Sequence, residues 1–325
     1  MARNDTWAFI VSSLSRGFDF IYCFCNFWRL FITKTVLPSF AEALGAANTA
    51  LLRFEHRCAR WAFAFIGFFL ATKSYEFEWI TLVYVIFCMV FARSAAMAFN
   101  RYIDRDIDTA NPRTAKVREI PNGSIKANSA LLFVVINSLL FIATTYLINP
   151  LCLALSPIAL LVVLGYSYTK RFTALCHLIL GLGLALAPIG AYLAVSGEFN
   201  IIPLFFSAAV LFWVSGFDII YSLQDEEFDK THELHSIPVL LGKKNALMLS
   251  NILHLLTFSA LSIAGSLGEF SLYYWIGFWS FSALLVYQHT LVKHNDLSKV
   301  NLAFFTTNGI ASLIFGAFVI ADLLL

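Results

Sequence analysis

Residues 201–229 read IIPLFFSAAVLFWVSGFDIIYSLQDEEFD, and the first twenty-two of them, Ile201 to Ser222, carry a single charged side chain, Asp218. A helix of about 20 apolar residues matches the roughly 30 Å hydrocarbon core of a bilayer. The stretch therefore reads as a membrane-spanning helix that runs out into the acids Asp225, Glu226, Glu227 and Asp229. Working outward, charge clusters and turn residues cut the chain into further apolar stretches at about 61–75, 79–99, 129–148, 151–168, 174–195, 246–266, 270–291 and 302–324. With 201–222 these make nine, and the fold class is an all-α, multi-pass membrane protein. Short punctuation such as Asn149-Pro150, Gly197-Glu198 and Gly268-Glu269 separates some spans, whereas 101–127 and 224–245 are longer polar connections.

The composition agrees. Of 325 residues 59% are hydrophobic and only 13% charged, and a mean hydropathy of +0.76 leaves too little polar surface for a soluble domain. A net charge of +2 and no basic run longer than two residues exclude nucleic acid as the main partner. The six cysteines are scattered through apolar stretches without metal-ligand spacing and read as small packed hydrophobes.

Lys and Arg are retained on the cytoplasmic side of a membrane. Twenty of the twenty-two fall before the first span or after the second, fourth, sixth and eighth, Lys73 and Arg93 being the others. The N-terminus and both long polar connections are therefore expected in the cytoplasm. Residues 1–52 read as a separate N-terminal extension ahead of a membrane domain over 53–325. Within it, Phe18–Phe40 is apolar but interrupted by Asp19, Arg29 and Lys34, which fits an interfacial helix. A tenth span there would reverse the N-terminus and leave the other assignments alone.

Both polar connections begin with acids spaced four apart. Asn100, Asp104 and Asp108 form the first set; Asp225 and Asp229 form the second, with Tyr221 one turn before Asp225 and Asp218 two turns before it. On a continuous helix each set stacks on one face, where like charges repel. A divalent cation removes that repulsion, and Mg²⁺ binds through one or two carboxylates plus substrate phosphate oxygens. The pattern points to a metal-bridged polyanion site, with Arg113, Lys116, Arg118, Lys170 and Arg171 available to neutralise the remaining charge. Asp218 lies inside a span, where an ionisable group costs about 2.5–3.5 kcal/mol and usually faces a cavity or the bundle interior.

At these motifs the chain resembles the UbiA superfamily of intramembrane aromatic prenyltransferases, with an Asn-x-x-x-Asp-x-x-x-Asp loop followed by an Asp-x-x-Tyr-x-x-x-Asp-x-x-x-Asp loop. Tyr166-Ser-Tyr-Thr-Lys-Arg-Phe172, Gly216-Phe-Asp-Ile-Ile-Tyr221 and Leu234-His-Ser-Ile-Pro238 are similar to the branch acting on 4-hydroxybenzoate or a dihydroxynaphthoate in ubiquinone and menaquinone biosynthesis. The likeness runs from about Arg53 to the C-terminus. It implies a helical bundle around a central cavity, Mg²⁺, a polyprenyl diphosphate donor and an aromatic acid acceptor. Carried over by position, Asn100, Asp104 and Asp108 are expected to form one Mg²⁺–diphosphate site and Asp225 and Asp229 the other, with Tyr221 and Asp218 beneath the second motif. Arg113, Lys170 and Arg171 are expected at diphosphate. Arg53 of Arg53-Phe-Glu-His56 is expected toward the acceptor, and Arg57 and Arg60 depart from the small residues usual there.

The remaining polar residues read structurally. His177 is expected to pack near a helix entrance, His254 and His289 show no metal spacing, and Gly181, Gly183 and Gly190 are expected to let helices approach. A secondary transporter of an organic anion is the alternative from another class, although the acids here cluster at one surface instead of at the bilayer midplane. An intramembrane aspartyl protease would need a Gly-x-Gly-Asp motif, which the sequence lacks.

Overall fold

The computed structural model describes residues 58–325, so the extension 1–52, its interfacial helix and Arg53 lie outside the described residues. A helix stands at each of the nine expected spans. They are α1 (Cys58–Ala71), α2 (Trp79–Ile103), α4 (Ala127–Ile148), α5 (Pro150–Thr169), α6 (Cys176–Ser196), α7 (Ile201–Ser222), α9 (Ile237–Leu267), α10 (Leu272–Leu291) and α11 (Asn308–Leu324). Two six-residue helices, α3 (Arg105–Ala110) and α8 (Glu226–Thr231), fill the polar connections. Seven helical segments are long and apolar enough to cross a bilayer. Over the described residues, α1 falls short at 14 residues, and the aromatic-rich α10 is not among the seven. The first of these shortfalls follows the sequence reading, in which 61–75 is the shortest span.

Local sequence explains the boundaries. Asn149 caps α5 by accepting from the Cys152 amide, with Pro150 at the first helical position. Gly197 ends α6 in the left-handed conformation, at φ 69°. Gly242 has φ 74° and kinks α9, so the helix starts nine residues before the expected 246.

Helix α7 lies between α6 and α9 and belongs to the most enclosed of the seven long apolar segments, which suits a helix apolar nearly all round. Helix α1 packs on α6 and α11, α10 pairs with α11, and α2 pairs with α4. Close approach depends on small residues: a Cβ on Gly67 of α1 would lie 2.0 Å from the Pro188 carbonyl oxygen of α6. Gly181 of α6 likewise sits on α7, where a Cβ would lie 2.4 Å from Ser215 Oγ. Gly183 and Gly190 differ from expectation. A Cβ on Gly190 would meet open space, and both glycines line a cavity. His254 Nδ1 and His289 Nε2 are hydrogen-bonded to each other at 2.7 Å between α9 and α10.

That cavity has a volume of about 420 Å³ and lies among α1, α2, α4, α5, α6 and α7. Its wall is almost wholly apolar, and among the described residues Arg93 of α2 is the one charged side chain on it. Ile158 of α5 and Phe199 after α6 line it while being 59% and 58% exposed, so it opens sideways toward lipid.

Candidate active site

Both acidic motifs are built alike. A long apolar helix ends, the backbone leaves helical geometry at the first aspartate of the pair, and a six-residue helix continues. Asp104 (φ −88°, ψ 6°) is the break between α2 and α3, and Asp225 (φ −104°, ψ 3°) is the break before α8. The expected unbroken helix is therefore bent at each motif. The four-residue spacing survives in the first motif, because the Asp104 amide still bonds the Asn100 carbonyl and the Asp108 amide the Asp104 carbonyl, at 2.9 and 2.7 Å.

In the first motif Asn100 Nδ2 donates to Asp104 Oδ2 at 2.9 Å. Lys170 Nζ stands 3.3 Å from Asp104 Oδ2 and Arg171 Nη2 3.7 Å from Asp104 Oδ1. Arg171 also donates to the Ile103 carbonyl at 2.6 Å. Asp104 and Asp108 are only 4% and 6% exposed. Two of their buried oxygens, Asp104 Oδ1 and Asp108 Oδ2, have no hydrogen-bond partner, the nearest cation to the latter being Arg118 at 3.9 Å. Burial pushes the Asp108 carboxyl above its ordinary range; Arg101 and Lys170 pull it down and Asp104 pushes it further up.

In the second motif Asp225 is already paired. Arg113 Nε donates to Asp225 Oδ1 at 3.0 Å, Nη2 binds Oδ2, and Nη1 donates to the Tyr221 hydroxyl at 2.9 Å. The pairing is the two-pronged guanidinium–carboxylate geometry that makes such bonds strong. Asn111 supports it, accepting from the Arg113 amide at 2.9 Å and reaching Asp225 Oδ1 at 3.5 Å. Asp229 is half-buried on α8. The His235 amide donates to the Lys170 carbonyl at 2.7 Å, so the segment after the second motif is tied to the loop that holds the first. Tyr221 stacks on Phe304, their ring centres 4.2 Å apart.

The structure thus brings Asn100, Asp104, Asp108, Lys170 and Arg171 together, and separately Tyr221, Asp225 and Arg113. Lys116 stays exposed. Asp218 lies one turn before Tyr221, but it is absent from the apolar cavity wall and instead bonds His177 at 2.7 Å. Among the described residues no three His, Cys, Asp or Glu side chains already form a metal cage. Two residues missed as site members emerge. Asn111 and His177 touch the expected acids across gaps of 114 and 41 residues, and neither has a local sequence signal for its partner.

The model of the UbiA prenyltransferase family matches residues 61–310. The chain belongs to that family. It is accordingly a prenyltransferase and an integral membrane protein. A 4-hydroxybenzoate octaprenyltransferase of Aeromonas hydrophila is 31% identical over 243 residues, 74% of this chain and 83% of the relative. Another from Vesicomyosocius okutanii is 30% identical over 247 residues, 76% and 89% of the two chains. Among solved structures, a UbiA homologue from Aeropyrum pernix superimposes with a TM-score of 0.76 at 32% identity, covering 83% of this chain and 99% of its own. A homologue from Archaeoglobus fulgidus bound to DMAPP and Mg²⁺ shares the fold, with a TM-score of 0.65 at 20% identity. Family membership displaces the anion-transporter alternative.

Proposed function

We propose that this prenyltransferase moves a polyprenyl group from a polyprenyl diphosphate to the ring of 4-hydroxybenzoate, with Mg²⁺ as cofactor, at the cytoplasmic face of a bacterial inner membrane. One observation carries the reading. An apolar cavity open to lipid shares its helices with two acidic motifs that stand among Arg113, Lys170 and Arg171. The cavity suits an isoprenoid tail, and the charged cluster suits diphosphate. Arg93, the charged residue on the cavity wall, suits the carboxylate of a planar acid. The similarity to 4-hydroxybenzoate octaprenyltransferases supports hydroxybenzoate over a dihydroxynaphthoate, and the excess of Lys and Arg on one side supports the orientation.

The donor set fits Mg²⁺. The buried, unbonded oxygens of Asp104 and Asp108 offer incomplete coordination, which suits an ion that keeps waters and shares phosphate oxygens. Asp104 and Asp108, with Asn100 beside them, would hold one ion, and Asp225 and Asp229 would hold another. When bound, the ion supplies positive charge against the diphosphate as the allylic C–O bond breaks. Lys170 and Arg171 add fixed positive charge beside Asp104, and Arg113 shifts from Asp225 toward the diphosphate once the motif is loaded. Phe63 and Trp213, among the residues lining the cavity, supply aromatic surface for cation–π attraction to the allyl cation while the apolar wall excludes water. The cation then bonds the ring carbon ortho to the phenolic oxygen.

The test supplies labelled polyprenyl diphosphate with 4-hydroxybenzoate or 1,4-dihydroxy-2-naphthoate to the membrane-embedded protein. Label is expected in the hydroxybenzoate product and is expected to vanish in Asp104→Ala and Asp225→Ala. Transfer to the naphthoate alone would move the enzyme to the other quinone pathway, and transfer that survives both substitutions would remove the motifs from the reaction.

A further inference from the structure

On α7, Val210 and Val214 line the apolar cavity, and one turn later comes Asp218, followed by Tyr221 and Asp225. On α6, Leu184 and Leu180 line the same cavity, and His177 comes one turn nearer the mouth. The two residues meet where the apolar wall gives way to the charged mouth. His177 Nδ1 is 2.7 Å from Asp218 Oδ2; the Asp218 side chain is 22% exposed and that of His177 4%. The carboxylate is thus the accessible member and the imidazole stands behind it.

The ring is held from both ends. The Ile237 amide, at the start of α9, donates to His177 Nε2 at 3.4 Å, and Ser215 Oγ donates to the His177 carbonyl at 3.1 Å. The Nδ1 edge of the ring is thereby turned to Asp218 Oδ2, and Nδ1–H is the ring's bond to that carboxylate. His177 engages Oδ2 alone, which leaves Oδ1 of this partly exposed side chain for another partner. A histidine that only filled space would need no acid beside it, and an ionisable group in a span is costly to keep.

We propose that Asp218 takes the ring proton that must leave after prenyl transfer and that His177 is the positioning residue that aims it; the proposal rests on the prenyl-transfer reading above. The donor C–O bond breaks with its electron pair leaving on diphosphate, and the ring carbon ortho to the phenolic oxygen bonds the allylic carbon. The C–H bond at that ring carbon then returns its electrons to the ring and gives its proton to Asp218 Oδ1, which passes it to water at the mouth. Oδ2 accepts from Nδ1–H before and after, so the dyad serves both protonation states without rearranging.

The test measures transfer from geranyl diphosphate to 4-hydroxybenzoate carrying hydrogen or deuterium at the two ring positions ortho to the hydroxyl. Four proteins are compared: wild type, His177→Phe, His177→Asn and His177→Gln. Asn retains an N–H near Nδ1 for Asp218, whereas Gln mimics only the distal nitrogen facing Ile237. In His177→Phe, kcat is expected to fall about 10- to 100-fold with donor KM within about twofold. An isotope effect on kcat, absent in wild type, should appear as proton loss becomes limiting. His177→Asn should recover more of kcat than His177→Gln, a comparison that stands if the Phe variant does not fold. Unchanged kcat in all three variants, losses without an isotope effect, or Gln equal to Asn would overturn the dyad while leaving prenyl transfer intact. A wild type inactive toward 4-hydroxybenzoate would overturn the functional reading and the dyad with it.

Discussion

Replacing Asp108 by Asn should stabilise the metal-free protein while abolishing its response to Mg²⁺. Asp108 is 6% exposed, one of its oxygens has no hydrogen bond, and its ion-pair partner, Arg118, is 3.9 Å away. Burial holds its carboxyl above the ordinary range. Keeping a buried polar group unsatisfied costs about 1–3 kcal/mol, more when it is charged. Asn fills the same space without the charge, so roughly 1–3 kcal/mol should be relieved. At about 2 °C per kcal/mol for a chain of this size, Tm should rise by about 2–6 °C in EDTA. Wild type should gain stability from Mg²⁺ by mass action, about 2.7 kcal/mol at a hundredfold excess over Kd, and the variant should gain little. The assay is thermal unfolding in detergent, with EDTA and with Mg²⁺, for both proteins. A lower Tm for the variant in EDTA, or an undiminished Mg²⁺ shift, would refute the view that Asp108 is strained for a metal.

The same carboxyl sets a pH dependence. Its raised pKa means that protonation steadies the metal-free protein, an effect complete below the ordinary carboxylate pKa and lost as pH rises through the raised value. The Tm gain from Mg²⁺ should therefore be larger at about pH 8 than at about pH 5, and equal gains would contradict it. In the cavity, Gly190→Leu projects a side chain into open space. Displacing two or three tail carbons at about 0.8 kcal/mol each should lower kcat/KM roughly 30-fold for long donors and leave dimethylallyl diphosphate nearly unchanged. Competition between the two donors reads this directly. Between α1 and α6, Gly67→Val places a Cβ against the Pro188 carbonyl oxygen and should destabilise by about 1–3 kcal/mol; an unchanged Tm would mean that the helices do not meet there.

Period and charge made the fold legible, because a span of bilayer length announces itself in one dimension. The acids of each motif were legible for the same reason, their spacing being one helical turn. The bends at Asp104 and Asp225 were not, since a four-residue spacing looks alike on a straight helix and on a broken one. Pairings between motifs were also hidden. Arg113 reaches Asp225 across 112 residues, and such contacts depend on how the bundle brings the two polar connections together. His177 read as a packing residue because the acid that gives it a polar role lies on another helix. Gly181 and Gly190 sit in one helix and read alike, yet one makes room for a neighbouring helix and the other for a cavity. Glycine in a sequence says that space is needed, and only the packing says what fills it.

The central claim is that both acidic motifs hold one diphosphate through a divalent cation, and equilibrium binding of a non-transferable prenyl thiolodiphosphate tests it most directly. Wild type should bind it in Mg²⁺ and lose at least about 30-fold in affinity, roughly 2 kcal/mol, in EDTA, in Asp104→Asn and in Asp225→Asn alike. Affinity that is the same in EDTA, or that falls with a substitution in only one motif, would contradict a shared metal-bridged site.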